Sequence, residues 1–235
     1  MLLFYYICSK QTKSFIMKKI TYLLIAVFAI SLSSCSLFKN DKPFKGYIKY
    51  SIDYEGDVDE ATLAQLPTST KEYYKDHKVR KENETAMGGI YTISDNANME
   101  IIMLLDIMGQ KLAVKQDSAD LKEAFAEIGE IEVNPTGETK EILGYNAKKV
   151  EIEVEDNIFT AYTTTEIKSP ANAHLADQFK NVEGVILEYS VTQRGITSTY
   201  TATELEKEKV ADEMFTIPED YELKTQEELS TMFGG

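Results

Sequence analysis

The sequence predicts an α+β chain that is mostly β, with an antiparallel sheet of about eight to eleven strands in hairpin order and two or three helices. Three observations predict it. Segments such as "GYIKYSIDYEG" and "KKVEIEVED" alternate apolar and polar residues with a period of two, the mark of a half-buried strand. Short turn signals, Gly109, Asp156-Asn157 and Arg194-Gly195 among them, separate these segments and keep sequential strands adjacent. Helical periodicity is confined to a few short stretches, the best being "SADLKEAFAEIGE".

Taken in order, Ile48, Tyr50, Ile52 and Tyr54 share one face of the first strand, and Lys49, Ser51 and Asp53 the other. "DEATLAQLP" offers one or two helical turns, stopped by Pro67. "KEYYKDHKVRKENE" reads as a strand pair or one long strand with a charged outer face, and "AMGGIYTISDN" as a bend, a strand and a turn. "MEIIMLLDIMGQKLAVKQD" is a hairpin turning at Gly109 whose first arm is apolar on both faces. A helix follows at 120–128, with Ser118 or Asp120 as its cap, Leu121, Phe125 and Ile128 on one face, and Gly129 as its stop. "NPTG" reads as a turn, and two strands then meet at Asp156-Asn157. A second helix is expected at 170–179, with Pro170 near its start. A Thr-rich hairpin turns at Arg194-Gly195, and the chain closes with a turn at Pro218 and a short helix.

The N-terminus has a separate logic. Lys18 and Lys19 precede an apolar run, Ile20 to Leu32, which is too short to span a bilayer and suits an export signal. "Leu32-Ser33-Ser34-Cys35" resembles the bacterial lipobox. That resemblance implies a diacylglyceryl thioether on Cys35, cleavage before it and acylation of the new amine. Met17 is the expected start, with residues 1–16 an upstream extension. The expected organisation is a signal peptide at 1–34, a lipidated tether at 35–45, a single domain at 46–222 and a C-terminal tail at 223–235. Cleavage removes Cys8, so no disulfide framework is expected.

The formal net charge is −14, and it falls to −18 once Lys10, Lys13, Lys18 and Lys19 leave with the signal. So acidic a body repels phosphate, which argues against nucleic acid and anionic lipid head groups as partners. Its 43% hydrophobic content is too high for a disordered tail.

Three stretches carry a family resemblance: "EILGYNAKKVEIE" at Glu141 to Glu153, "VEGVILEYS" at Val182 to Ser190, and "DEMFTIPEDYE" at Asp212 to Glu222. Together with "KVRKE" and "LLDIMGQK" they resemble, in order, lipoproteins of a Bacteroidetes-type family of unknown function in the LolA/LolB-like superfamily. The resemblance implies a strongly curved, open β half-barrel with helices as a lid over an apolar groove. Members of that superfamily carry lipoproteins or lipids through the periplasm, and the family offers no catalytic residue to transfer.

The residues themselves point away from catalysis. His77 and His174 sit in charged or polar surroundings and read as surface residues. No HExxH, nucleophile elbow or phosphate loop occurs in the sequence. The carboxylates of "DYEGDVDE" lack EF-hand spacing and read as a solvated turn. No cofactor or metal is expected, and no enzyme activity. Met87, Met99, Met103 and Met108 cluster in the sequence around Leu105. With Phe125 and Phe179 from the two helices they form the candidate ligand-binding set. Adaptable methionines suit a lipid-accepting groove, and equally a plain core beneath lid helices. The expectation is therefore a membrane-anchored binding module for a lipid or other apolar ligand, or a structural or interaction lipoprotein with a filled core. Ser36 after the cysteine, where aspartate is absent, resembles an outer-membrane sorting signal, and a tether without an acidic cluster implies a periplasm-facing position.

Overall fold

A computed structural model describes residues 42–126, 129–155, 157–170, 179, 181–193 and 195–233. The signal segment, Cys35, most of the tether and nearly all of the expected 170–179 helix lie outside the described residues, as does His174. Asp41–Gly235 forms a compact unit. It is mostly β, a curved open sheet of twelve strands that does not close into a barrel, with three α-helices among the described residues.

The strands are β1 (Gly46–Glu55), β2 (Ser69–Lys75), β3 (Lys78–Thr85), β4 (Gly88–Asp95), β5 (Glu100–Ile107), β6 (Gln110–Gln116), β7 (Ile131–Ile142), β8 (Tyr145–Val154), β9 (Asn157–Thr164), β10 (Val185–Gln193), β11 (Ile196–Lys207) and β12 (Glu222–Lys224). Their spatial order is β12-β6-β5-β4-β3-β2-β1-β11-β10-β9-β8-β7. Two antiparallel meanders, β1–β6 and β7–β11, are thus joined where β1 pairs with β11. The twelfth strand, beyond the expected eight to eleven, is three residues that pair parallel with β6. Such a segment shows no alternation of its own and exists through its partner.

The turns follow local chemistry. Met108 (φ 53°) and Gly109 (φ 81°) link β5 to β6 with both residues left-handed, the two-residue connection that matches strand twist. Leu143-Gly144 does the same between β7 and β8. The β8–β9 turn sits one residue earlier than expected, because Val154 pairs with Asn157. "NPTG" is not a turn between elements: it is an irregularity inside β7, where pairing skips from Pro135 to Thr139 opposite Val150 and Lys148. Pro135 has no N–H to donate, and β7 is an edge strand where that loss is tolerated.

The helices are α1 (Glu60–Leu63), α2 (Ser118–Ala126) and α3 (Gln226–Phe233). Asp59 caps α1, accepting from Thr62 N at 3.0 Å and from its hydroxyl at 2.6 Å, which holds the Asp59 carboxyl below its usual range. One carboxylate of the acidic turn is thereby a capping group. Asp117 caps α2, in place of the expected Ser118 or Asp120. It accepts from Ala119 N at 2.7 Å, while Asp120 reaches back to Asp117 N at 3.0 Å. This reciprocal box satisfies donors that the helix cannot. Thr225 and Glu228 make the same box on α3. Both α2 and α3 pack against β6.

Two hydrophobic cores lie on opposite faces of the sheet. Ile48, Tyr50, Tyr74, Val79 and Val150 belong to the larger one, together with Phe44 and Phe179. The smaller one packs Ile93, Ile102, Leu104 and Ala113 against Val210 and Phe215. Along β4–β6 the smaller core takes one set of alternate positions, and Ile90, Leu105, Leu112 and Val114 lie on the other face, which is the Tyr50 face. The face opposite Tyr50 is therefore closed there by the segment after β11, including the 3-10 turn Asp212–Phe215.

Candidate functional site

The face that carries Tyr50 contains a buried polar group absent from the sequence reading. The β2–β3 hairpin turns at Asp76-His77, so Glu72 and Lys81 stand directly opposite each other. Lys81 Nζ lies 3.3 Å from Glu72 Oε1 and donates to the Tyr189 hydroxyl at 2.9 Å. The Tyr74 hydroxyl donates to Glu72 Oε2 at 2.5 Å. Tyr50, 1% exposed, sends its hydroxyl to the Ile186 carbonyl at 2.9 Å. Lys81 Nζ also sits 4.9 Å from the centre of the Tyr200 ring, which stacks on Tyr189 at 4.4 Å. Cation–π attraction and hydrogen bonding together repay some of the cost of holding an ammonium there.

Protonation follows this geometry. Burial pushes the Tyr50 and Tyr74 phenols well above their ordinary value, and the Glu72 charge adds to it. Burial, the largest single effect, pulls the Lys81 ammonium down, but the Glu72 carboxylate together with the neighbouring Tyr200 and Tyr50 makes the net shift upward. Lys81 thus stays charged at neutral pH. The two members differ in access: the Lys81 side chain is 30% exposed and that of Glu72 is 7% exposed.

From this pair a row of opposed residues crosses the same face. Lys81 faces Thr92, Thr92 faces Met103, and Met103 faces Val114. The neighbouring row runs Asn83, Ile90, Leu105, Leu112. Chemistry therefore changes from ionic to apolar over three strand spacings, roughly 14 Å. Val114, Leu105 and Leu112 are buried, Ile90 and Thr92 are half-buried, and Met103 is 39% exposed.

The candidate ligand residues fall in separate places. Met87 and Met108 are exposed in the β3–β4 and β5–β6 turns at one end of the sheet, joined by a hydrogen bond from Met108 N to Met87 O at 3.3 Å. Met99 is half-buried in the β4–β5 turn at the opposite end. Met103 and Leu105 share the Tyr50 face of β5. Phe179 is buried in the larger core with its ring 5.1 Å from Tyr189. The Phe125 side chain lies outside the described residues. Met103 and Leu105 thus belong together, and Phe179 reaches Lys81 through Tyr189. His77 is exposed, as its sequence neighbours predict.

Lys81 was legible in principle. It shares the period-two face of Val79, and the arithmetic of the Asp76-His77 turn sets it against Glu72. The charged appearance of "KVRKENE" hid this, because most of its neighbours do face water.

Within the larger core, a cavity bounded by Phe44, Tyr74, Pro170 and Ile186 among others holds about 10 Å³, room for about one water. Among the described residues no group of His, Cys, Asp and Glu is placed to hold a metal, and no helix is long and apolar enough to cross a membrane.

No family model matches the chain, and no curated protein matches it. Solved structures do. The structure of PNGF-II in a P21 crystal form superposes with a TM-score of 0.51 at 20% identity, over 80% of this chain and 33% of that one. Its C2 form gives 0.49 at 20% identity over 80% and 32%. LprF from Mycobacterium bovis gives 0.31 at 10% identity over 76% and 90%. The chain spans about a third of the length of PNGF-II, and the likeness to the P21 form is one of fold alone.

Proposed function

We propose that the chain is a lipoprotein of the bacterial cell envelope, tethered through lipid on Cys35, whose sheet is a non-enzymatic binding module for an apolar ligand. The observation that carries this reading is the Tyr50 face of β4 and β5. There Met103 stands 39% exposed between half-buried Ile90 and Ile101, while the other face of the same strands is closed by Val210 and Phe215. An apolar strip on one side of an otherwise covered strand is the surface an acyl chain would fill. The outer membrane, with the domain in the periplasm, is the compartment that the Cys35-Ser36 pair favours.

The second reading is an interaction lipoprotein with a filled core, and the burial of Leu105, Leu112 and Val114 on the Tyr50 face favours it. Mass spectrometry of the full chain isolated from native membranes separates the two. A lipid released from the folded domain, distinct from that on Cys35, supports the binding module. Its absence, with no uptake of an added apolar probe, leaves the interaction reading.

A further inference from the structure

The polar groups at the edge of the apolar strip specify what kind of ligand it takes. Lys81 has three N–H donors, and two of them are engaged, by Glu72 and by the Tyr189 hydroxyl. The third has no partner among the described residues. The side chains of Asn83 and Thr92 and the Tyr200 hydroxyl likewise form no hydrogen bond to a described residue. All are half-buried, and Asn83, Lys81 and Thr92 share the face that carries Ile90 and Met103. None of these groups is buried away from water, and each can offer a hydrogen bond to a ligand on this face. The ion pair is also asymmetric: the cation is 30% exposed and its carboxylate partner 7%. A visitor on this face meets the ammonium and not the carboxylate.

We propose that this surface binds a long-chain carboxylate, with its head group at Lys81, Thr92 and Asn83 and its tail over Ile90, Met103 and Ile101. The head and tail contacts are two strand spacings apart, roughly 10 Å, so one molecule reaches both. The Tyr50-face side chains of β5, Ile101 to Ile107, extend the apolar track along the strand by about 20 Å. Charge decides the class. An alkyl cation would face Lys81, and a neutral alcohol would forgo its charge-assisted bond. This inference rests on the binding-module reading.

The test uses the full chain in neutral lipid vesicles. Hexadecanoate and hexadecanol analogues, each with a photoreactive diazirine in mid-chain, are crosslinked and mapped by peptide mass spectrometry. Wild type should label on the β4–β5 peptides with about a tenfold preference for the carboxylate. Glu72→Gln/Lys81→Met, which removes both charges together, should bring that preference to about one. Lys81→Arg should keep it. Met103→Glu, at an exposed position that does not depend on the pair, should lower carboxylate labelling at least tenfold. Equal labelling of wild type by both analogues overturns the head-group assignment and leaves the binding module standing. A preference that survives Glu72→Gln/Lys81→Met, or is lost in Lys81→Arg, removes the Lys81 charge from it. Absence of β4–β5 labelling by either analogue overturns the binding module as well.

Discussion

Glu72 and Lys81 are cross-strand partners, equidistant from the Asp76-His77 turn, with Oε1 and Nζ 3.3 Å apart on the buried face of the β2–β3 hairpin. Removing one partner strands the other charge, whereas removing both does not. Lys81→Met alone should cost about 2 kcal/mol, discounted for the solvent that reaches the ammonium. Glu72→Gln/Lys81→Met should lie closer to wild type than the sum of the single changes. Urea titration of the four proteins gives the coupling; strict additivity would mean that the pair does not interact.

Asp95 links the hairpin to pH. It is 8% exposed, accepts from Ala97 N, Asn98 N and Asn98 Nδ2 at 3.0–3.2 Å, and lies 3.5 Å from Lys78. Burial raises its carboxyl, but the bonds from Asn98 and the Lys78 charge outweigh it and the net shift is downward. A folded value below the unfolded one stabilises the protein above the unfolded value, about 3.9. That contribution is lost as pH falls through the folded value. Asp95→Asn should therefore destabilise at pH 7, by about 1 kcal/mol, and make little difference near pH 2. Equal effects at both pH values would rule out the carboxylate as the cause.

Two glycines rank by geometry. Gly195 (φ 80°) has nothing within 4 Å of an added Cβ, so Gly195→Val strains the turn alone, by about 1 kcal/mol or more. A Cβ on Gly88 (φ 135°) would sit 1.9 Å from the Asp106 carbonyl oxygen in the neighbouring strand. Gly88→Ala adds that clash to the strain and should cost more, roughly 2 kcal/mol or above. Thermal unfolding with Gly88→Ala the milder change would contradict the β4–β5 register.

Phe215, 4% exposed, plugs the smaller core over Ile93, Ile102 and Leu104. Phe215→Ala should destabilise by about 3–5 kcal/mol through lost burial and a residual cavity. A change below about 1 kcal/mol in a denaturant titration would show that the segment does not close this face.

Cys35→Ala tests the anchor. One acyl chain binds a membrane only marginally, but each buried CH₂ adds about 0.8 kcal/mol, so two or three chains hold firmly. The variant should remain an uncleaved precursor at the inner membrane. Processing and fractionation identical to wild type would refute lipid anchoring.

The sequence by itself determined the local pairings. Period-two alternation marked β1, β8 and the second arm of the β5–β6 hairpin, and turn residues such as Gly109 and Arg194-Gly195 set the registers between neighbours. Such signals are local, because a strand's two faces and a two-residue turn are written within about ten residues. "NPTG" misled because turn residues also suit a bulge in an edge strand. The tertiary structure alone decided which face each stretch of sheet buries. β5 reads as apolar on both sides, and only the fold assigns Ile102 and Leu104 to a plug from residues 210–215 and leaves Met103 at the surface. It also created β12, which has no pattern without β6. Above all it brought Tyr189 and Tyr200 to Lys81 across more than a hundred residues. Burial is a property of what packs on a strand, and the covering segment is remote in sequence, so a charged hairpin did not show in advance that one lysine faces inward.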